Sequence, residues 1–286
     1  MIPAAFDYVR AGSVDQALDL IARPGAKAIA GGQSLLPLMK LRLSRPETLV
    51  DIGRIGELRG VRQLPDGRIA VGALTTYAEL MDSPAQHYGL LRDALPDIGD
   101  VQVRNRGTVG GAIAHCDPAS DLPACILALD AEIVMRSKRG ERSTGCDGFF
   151  QGAFVTGLAA DELVTEVRLP APRDDAGSAY ASLPQPASGY SMVGVAAVVV
   201  RGGPGGPIVF SRVAITGVSD APYRARAVED ALTGSDGSAG AIEAAAAHAT
   251  DGVTVNSDIH ADAAYRAAMA KVYTRRAIES ALARLG

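Results

Sequence analysis

Tryptophan is absent from the 286 residues, and aromatic residues make up only 5% of them. An aromatic platform on which nucleobases stack is therefore excluded. Positive charge is not in excess either: 28 Lys and Arg stand against 32 Asp and Glu, a net charge of −4. That balance excludes an overall basic footprint for nucleic acid. Cysteine is scarce. Cys116, Cys125 and Cys146 are too few to hold an iron–sulfur cluster, and they contain no C-x-x-C pair. Their odd number and wide spacing fit a reducing compartment, with buried, inert thiols as the plain reading. The four histidines, His87, His115, His248 and His260, form no pattern that would bind zinc. The longest apolar run, Met192–Val200, is far shorter than the roughly 20 residues of a membrane helix. The N-terminus has no basic region followed by an apolar one, so no secretory signal is read and a cytoplasmic protein is expected.

What the chain does have is length for about two domains, 48% apolar residues for their cores, and 32 glycines. The first 55 residues alternate helix and strand. Ser13 and Gln16 form a capping box before Ala17, Leu18 and Ile21. Lys27–Ala30 reads as a strand, Leu35–Leu43 as a helix and Thr48–Ile52 as another strand. Further on, Arg68–Val71, Glu132–Ser137 and Leu163–Leu169 are predicted strands, and Thr76 with Glu79 is a second capping box. Residues 97–125 are rich in Gly, Asp, Asn and Pro and are predicted to be mostly loop. Arg173–Ser178 is the candidate linker. Beyond it, Met192–Arg201 and Ile208–Ile215 read as a hairpin, followed by helices over Ala225–Leu232, Ala239–His248 and Asp262–Leu285.

Two glycine-rich loops carry the functional signal. One is Ala30-Gly31-Gly32-Gln33-Ser34; the other is Arg106-Gly107-Thr108-Val109-Gly110-Gly111-Ala112. Glycine permits positive φ and lets backbone N–H groups approach an oxyanion closely. Two such loops suit a pyrophosphate, which needs donors from more than one direction. Taken singly, each Gly-Gly pair also reads as an ordinary tight turn. Neither loop is a Walker A or a Rossmann G-x-G-x-x-G.

The run Ala30-Gly31-Gly32-Gln33-Ser34-Leu35-Leu36-Pro37-Leu38-Met39-Lys40 resembles the first FAD-binding loop of the medium subunits of molybdenum hydroxylases. These are the flavoproteins of the carbon monoxide dehydrogenase and xanthine dehydrogenase group. Val103-Arg104-Asn105-Arg106-Gly107-Thr108-Val109-Gly110-Gly111 resembles their second loop. The similarity extends through Asp117-Pro118-Ala119-Ser120-Asp121-Leu122-Pro123 and Glu162–Pro170 to Ser257-Asp258-Ile259-His260, nearly the whole chain.

The resemblance implies an α+β fold. A two-subdomain FAD-binding domain of the vanillyl-alcohol-oxidase-like kind would span 1–173, with subdomains at about 1–55 and 56–173. A small α+β domain with a three-stranded sheet and helices would span 178–286. Implied FAD-binding residues are Ala30, Gly31, Gly32, Gln33, Ser34 and Leu35 in the first loop, and Thr108, Val109, Gly110, Gly111 and Ala112 in the second. His115, Asp121, Leu163 and Tyr190 are further candidates. On the residues alone, Asp121 also reads as a loop cap, His115 as a structural histidine and Tyr190 as a core or interface residue. Arg104 and Arg106 could offset pyrophosphate charge or simply be exposed.

Three departures bear on the flavin ring and its acceptor: Gln33 where His is frequent, Ala112 for a common Asn, and a Pro-rich Ser182–Tyr190 lacking a basic residue. The implied role is an electron-transfer oxidoreductase subunit. It would take electrons from the 2Fe-2S clusters of a small subunit and pass them to an external acceptor. A large subunit would carry molybdopterin, in a dimer of heterotrimers with no membrane span. A stand-alone FAD oxidoreductase of the same fold and a non-catalytic binding module are the rival readings.

Overall fold

Ser13 begins the first helix as its cap pattern predicts, its hydroxyl accepting from the Gln16 N–H. The box closes one residue early, because Gln16 Oε1 accepts from Gly12 rather than from Ser13. The structure, a computed structural model, describes residues 2–285. Its first unit runs β1 (Asp7–Arg10), α1 (Val14–Ile21), β2 (Ala26–Ile29), α2 (Leu35–Lys40) and β3 (Thr48–Asp51). The strands form a parallel sheet ordered β1-β3-β2. Val14, Ala17, Leu18 and Ile21 share one buried face of α1 and pack against Val50 and Ile52.

The second unit contains β4 (Val61–Gln63), β5 (Ile69–Gly72), α3 (Tyr77–Met81), α4 (Gly89–Asp97), α5 (Val101–Arg104), α6 (Val109–His115), α7 (Asp121–Ala128), β6 (Glu132–Ser137), β7 (Gly140–Gly145), β8 (Phe150–Gly152), β9 (Val155–Thr156) and β10 (Leu163–Leu169). Five of its strands make an antiparallel sheet ordered β4-β5-β10-β6-β7. Thr76 and Glu79 make the reciprocal capping box that starts α3.

Residues 97–125 overturn the loop expectation, for α5, α6 and the first five residues of α7 fall within them. Local caps begin the first two helices: Asp100 accepts from Val103 N–H and Thr108 Oγ1 from Gly111 N–H. Packing then outweighs the poor helix propensity of Gly110 and Gly111, because Ile113, Leu122 and Ile126 are almost wholly buried.

The third unit holds β11 (Ala176–Pro184), β12 (Ser191–Arg201), β13 (Ile208–Thr216), β14 (Tyr223–Arg224), α8 (Arg226–Leu232), α9 (Ala239–Ala246) and α10 (Ala263–Leu282). The expected three long strands are present, and the two-residue β14 adds a fourth at the edge. Residues 171–175 are exposed, but β11 starts at Ala176 and Gly177 and Ser178 are already buried, so the link is shorter than the predicted one.

Strand β12 explains the long apolar run. Ala196 and Val198 face the middle core, whereas Val193, Val195, Ala197 and Val199 face the core under α8, α9 and α10. With both faces covered, alternation between apolar and polar residues disappears. The third unit therefore packs flat on the second. Arg284 reinforces the join by donating to both carboxylate oxygens of Asp93 and to the carbonyl of Ser178. Among the described residues, no helix is long and apolar enough to cross a membrane.

Candidate functional site: a cavity between two glycine loops

Between β2 and α2 the chain turns through Gly32, whose φ of +74° is left-handed. Among the described residues no acceptor is found for the N–H groups of Gly31, Gly32, Gln33, Ser34 or Leu35. Five successive amides without protein partners are free to donate to an anion.

The second loop is built the other way. Val109 N–H donates to Thr75 O at 3.0 Å and Gly110 N–H to Ala73 O at 2.8 Å. Gly111 N–H donates to Thr108 Oγ1 at 3.1 Å, and Ala112 N–H to Thr108 O at 3.0 Å. These donors are already spent. The second loop contributes mainly shape, with Thr108 N–H left without an acceptor among the described residues, and Gly110 lets α6 lie tight against Ala73.

The loops border one cavity of about 720 Å³, within the range of cofactor sites. Ala30, Gly31, Gly32, Gln33, Ser34 and Leu35 line it, as do Thr108, Gly110, Gly111 and Ala112. His115, Asp121, Leu163 and Tyr190 line it too. Val109 is the exception: its side chain is 2% exposed and belongs to the middle core.

Asp121 begins α7 and is buried. Ser191 Oγ donates to its Oδ1 at 2.5 Å, and the Tyr180 hydroxyl donates to the same oxygen. Burial pushes the Asp121 carboxyl up, and the two hydroxyls oppose that rise. The loop-cap reading of Asp121 thus gives way to a cavity wall braced by the third unit. His115 ends α6 with its ring centroid 5.0 Å from that of Phe154. Burial lowers its pKa, which favours the neutral imidazole. Burial raises the pKa of Tyr190, with Asp117 and Asp121 adding to the effect.

The two arginines do not reach the cavity. Arg104 Nη1 donates to the carbonyls of Pro96, Ile98 and Gly99, closing the turn before α5. Arg106 is exposed and its carbonyl, not its guanidinium, meets the first loop. Lys27 is the one Lys or Arg among the described residues that lines the cavity, and sequence reasoning missed it. It missed Tyr77 and Phe154 as well, for which no sequence signal exists. Tyr180 and Ser191 lie 59 and 70 residues from Asp121, beyond any local pattern. Cys116, Cys125 and Cys146 are free and buried. Burial raises all three thiol pKa values, to about 11 for Cys116 and about 12 for Cys146.

Unpartnered amides beside a cavity of this size, lined by the carboxylates of Asp117 and Asp121 and by apolar and aromatic groups, fit a dinucleotide with one diphosphate and one large ring system. On this α+β scaffold, fold and site define an FAD-binding flavoprotein. Residues 4–172 match the family described as the FAD binding domain in molybdopterin dehydrogenase. Residues 178–281 match the carbon monoxide dehydrogenase flavoprotein C-terminal domain. The chain belongs to this family, the FAD-carrying medium subunits of molybdenum hydroxylases, and is an oxidoreductase subunit.

The carbon monoxide dehydrogenase medium chain of Hydrogenophaga pseudoflava is 38% identical over 288 residues, covering 99% of both chains. The 6-hydroxypseudooxynicotine dehydrogenase complex subunit alpha of Paenarthrobacter nicotinovorans is also 38% identical, over 99% of this chain and 97% of its own. A solved carbon monoxide dehydrogenase from Hydrogenophaga pseudoflava, lacking the Mo-pyranopterin moiety of its cofactor, superposes with a TM-score of 0.95. It is 40% identical, and the match covers 100% of each chain.

Proposed function

We propose that this chain holds FAD with its diphosphate on the free amides of residues 31–35 and relays electrons between a partner's iron–sulfur clusters and an external acceptor. The observation that carries this reading is the contrast between the loops: one leaves five successive donors open, whereas the donors of residues 109–112 in the other are taken up within the protein. Bound FAD supplies the redox chemistry, accepting and releasing electrons, while the protein supplies binding, orientation and electrostatics.

Ala30–Leu35 would hold the diphosphate side, with Lys27 adding a positive charge at the rim. Thr108, Gly110, Gly111 and Ala112 would shape the opposite wall. His115, Asp121, Leu163 and Tyr190 would face the remainder of the cofactor. The carboxylate of Asp121 repels phosphate, so it belongs beside the sugar alcohol or the ring.

The working division is an FAD-binding domain over 1–173, in subdomains of about 1–55 and 56–173, and a C-terminal domain over 178–286. The expected partners are a large molybdopterin subunit and a small 2Fe-2S subunit, in a cytoplasmic dimer of heterotrimers. Purification of the complex from its native source, with flavin, molybdenum and iron measured on it, tests the assignment. Stoichiometric flavin on this chain together with metals on co-purifying chains is expected. A chain that stays colourless after incubation with FAD would overturn the reading.

A further inference from the structure

Five polar contacts from the third unit converge on one short stretch of cavity wall. The Thr216 hydroxyl donates to Pro118 O at 2.7 Å and also lies 2.9 Å from Ser120 O. Gly217 N–H donates to Pro118 O at 2.7 Å. The Tyr180 and Ser191 hydroxyls donate to Asp121 Oδ1.

The bonds to Asp121 are one-sided. Both fall on Oδ1, and Oδ2 has no side-chain partner among the described residues. Nor is Oδ2 among the sealed, unsatisfied polar atoms, although the residue is only 7% exposed. Asp121 is also one of the residues that line the cavity. A carboxylate with one oxygen tied back is held against rotation, and its second oxygen is left to accept from an O–H or N–H group. Tyr180 stands on β11 and Ser191 on β12, so the brace comes wholly from the third unit.

We propose that Tyr180 and Ser191 are positioning residues for the cofactor: they fix Asp121 so that its free oxygen accepts a hydrogen bond from a hydroxyl or N–H group of bound FAD. This rests on the FAD assignment above. Because the brace crosses between units, FAD binding and the seating of the third unit on the second support each other. Each should weaken when the other is disturbed.

The test uses the full chain, stripped of flavin and titrated with FAD, with the melting temperature of the apo and FAD-bound forms recorded for each variant. Tyr180→Phe removes one hydroxyl from an otherwise unchanged ring, and Ser191→Ala is the independent second variant. Each is expected to weaken FAD binding roughly three- to tenfold, the fold-change that the net loss of one ordinary hydrogen bond produces. Each is also expected to shrink the rise in melting temperature that FAD produces, since that rise tracks affinity.

A merely structural role would lower both melting temperatures equally and leave the affinity unchanged; that result in a folded variant overturns the proposal. If one variant fails to fold, the other decides. Wild-type chain that binds no FAD would overturn the proposal and the FAD assignment together, whereas tight wild-type binding with unaffected variants removes the proposal alone.

Discussion

A β-carbon placed on Gly31 would lie 1.9 Å from the carbonyl oxygen of Arg106. The first loop thus rests directly on the backbone of the second, and that close approach requires a residue without a side chain at position 31. Backbone is the obstacle, so no rotamer change relieves it. Gly31→Ala should force the loops apart and cost on the order of 1–3 kcal/mol of stability, the usual range for overpacking. The five open amides should lose their alignment. The expected outcome is a folded but nearly flavin-free chain, read from the ratio of flavin to protein absorption. Full flavin content would contradict the mutual support of the loops.

Neighbouring glycines in the second loop should separate folding from binding. A β-carbon on Gly110 would lie 2.4 Å from that of Ala73, inside the middle core. One on Gly111 would meet only the Thr108 hydroxyl, at 2.7 Å, and Gly111 is exposed and lines the cavity. Gly110→Ala should therefore lower the melting temperature of the apo chain. Gly111→Val should cost less apo stability and sharply reduce FAD retention, because a branched side chain would stand in the cavity. Thermal melts beside FAD titrations check both; equal effects of the two variants on both quantities would refute the distinction.

The loops were legible in the sequence because glycine's role is local: Gly31, Gly32, Gly110 and Gly111 announce bare backbone wherever they fall. Residues 97–125 were misread for the complementary reason. Their helices depend on what Ile113, Leu122 and Ile126 pack against, which no short window contains. The arginines show the same limit. Arg104 looks like a phosphate ligand beside a glycine loop, yet three carbonyls a few residues upstream claim its guanidinium. The free amides at 31–35 and the filled ones at 109–112 could not be told apart before their acceptors, Ala73 and Thr75, were placed.

The join between the second and third units rests partly on one ion pair. Arg284 engages both oxygens of Asp93 at 2.6 and 2.8 Å, and Asp93 also accepts from Tyr180 N–H at 3.0 Å. The pair is only partly exposed, 32% for Arg284 and 22% for Asp93. Arg284→Ala leaves Asp93 and the Ser178 carbonyl short of a donor and should cost roughly 1–3 kcal/mol. Denaturant titration of the apo chain measures it. Asp93→Asn should be milder, because an amide can still accept from Tyr180 N–H. A larger loss for Asp93→Asn than for Arg284→Ala would contradict this account.

Acid stability should depend on Glu162, which immediately precedes the cavity residue Leu163. Its carboxylate accepts from Arg142 Nε and Nη2, both at 2.6 Å, and from Ala159 N–H at 2.8 Å. The hydrogen bonds from Arg142 hold Glu162 below its ordinary value of 4.5, outweighing the opposing effect of burial. As the pH falls, the unfolded chain binds this proton before the folded chain does. The contribution of Glu162 is therefore complete above about pH 4.5 and fades as the pH drops through the lower folded value. Arg142 is about half exposed, so screening limits the charge pairing to about 1 kcal/mol. Asp51, Glu79 and Glu132 are also held low and will give the wild-type chain further acid sensitivity. The informative quantity is thus the difference from Glu162→Gln. Denaturant-derived stabilities at several pH values should show the variant weaker near neutrality and converging on wild type in acid. A gap that stays constant from pH 7 down to pH 3 would show that the Glu162 carboxylate is not held low by Arg142.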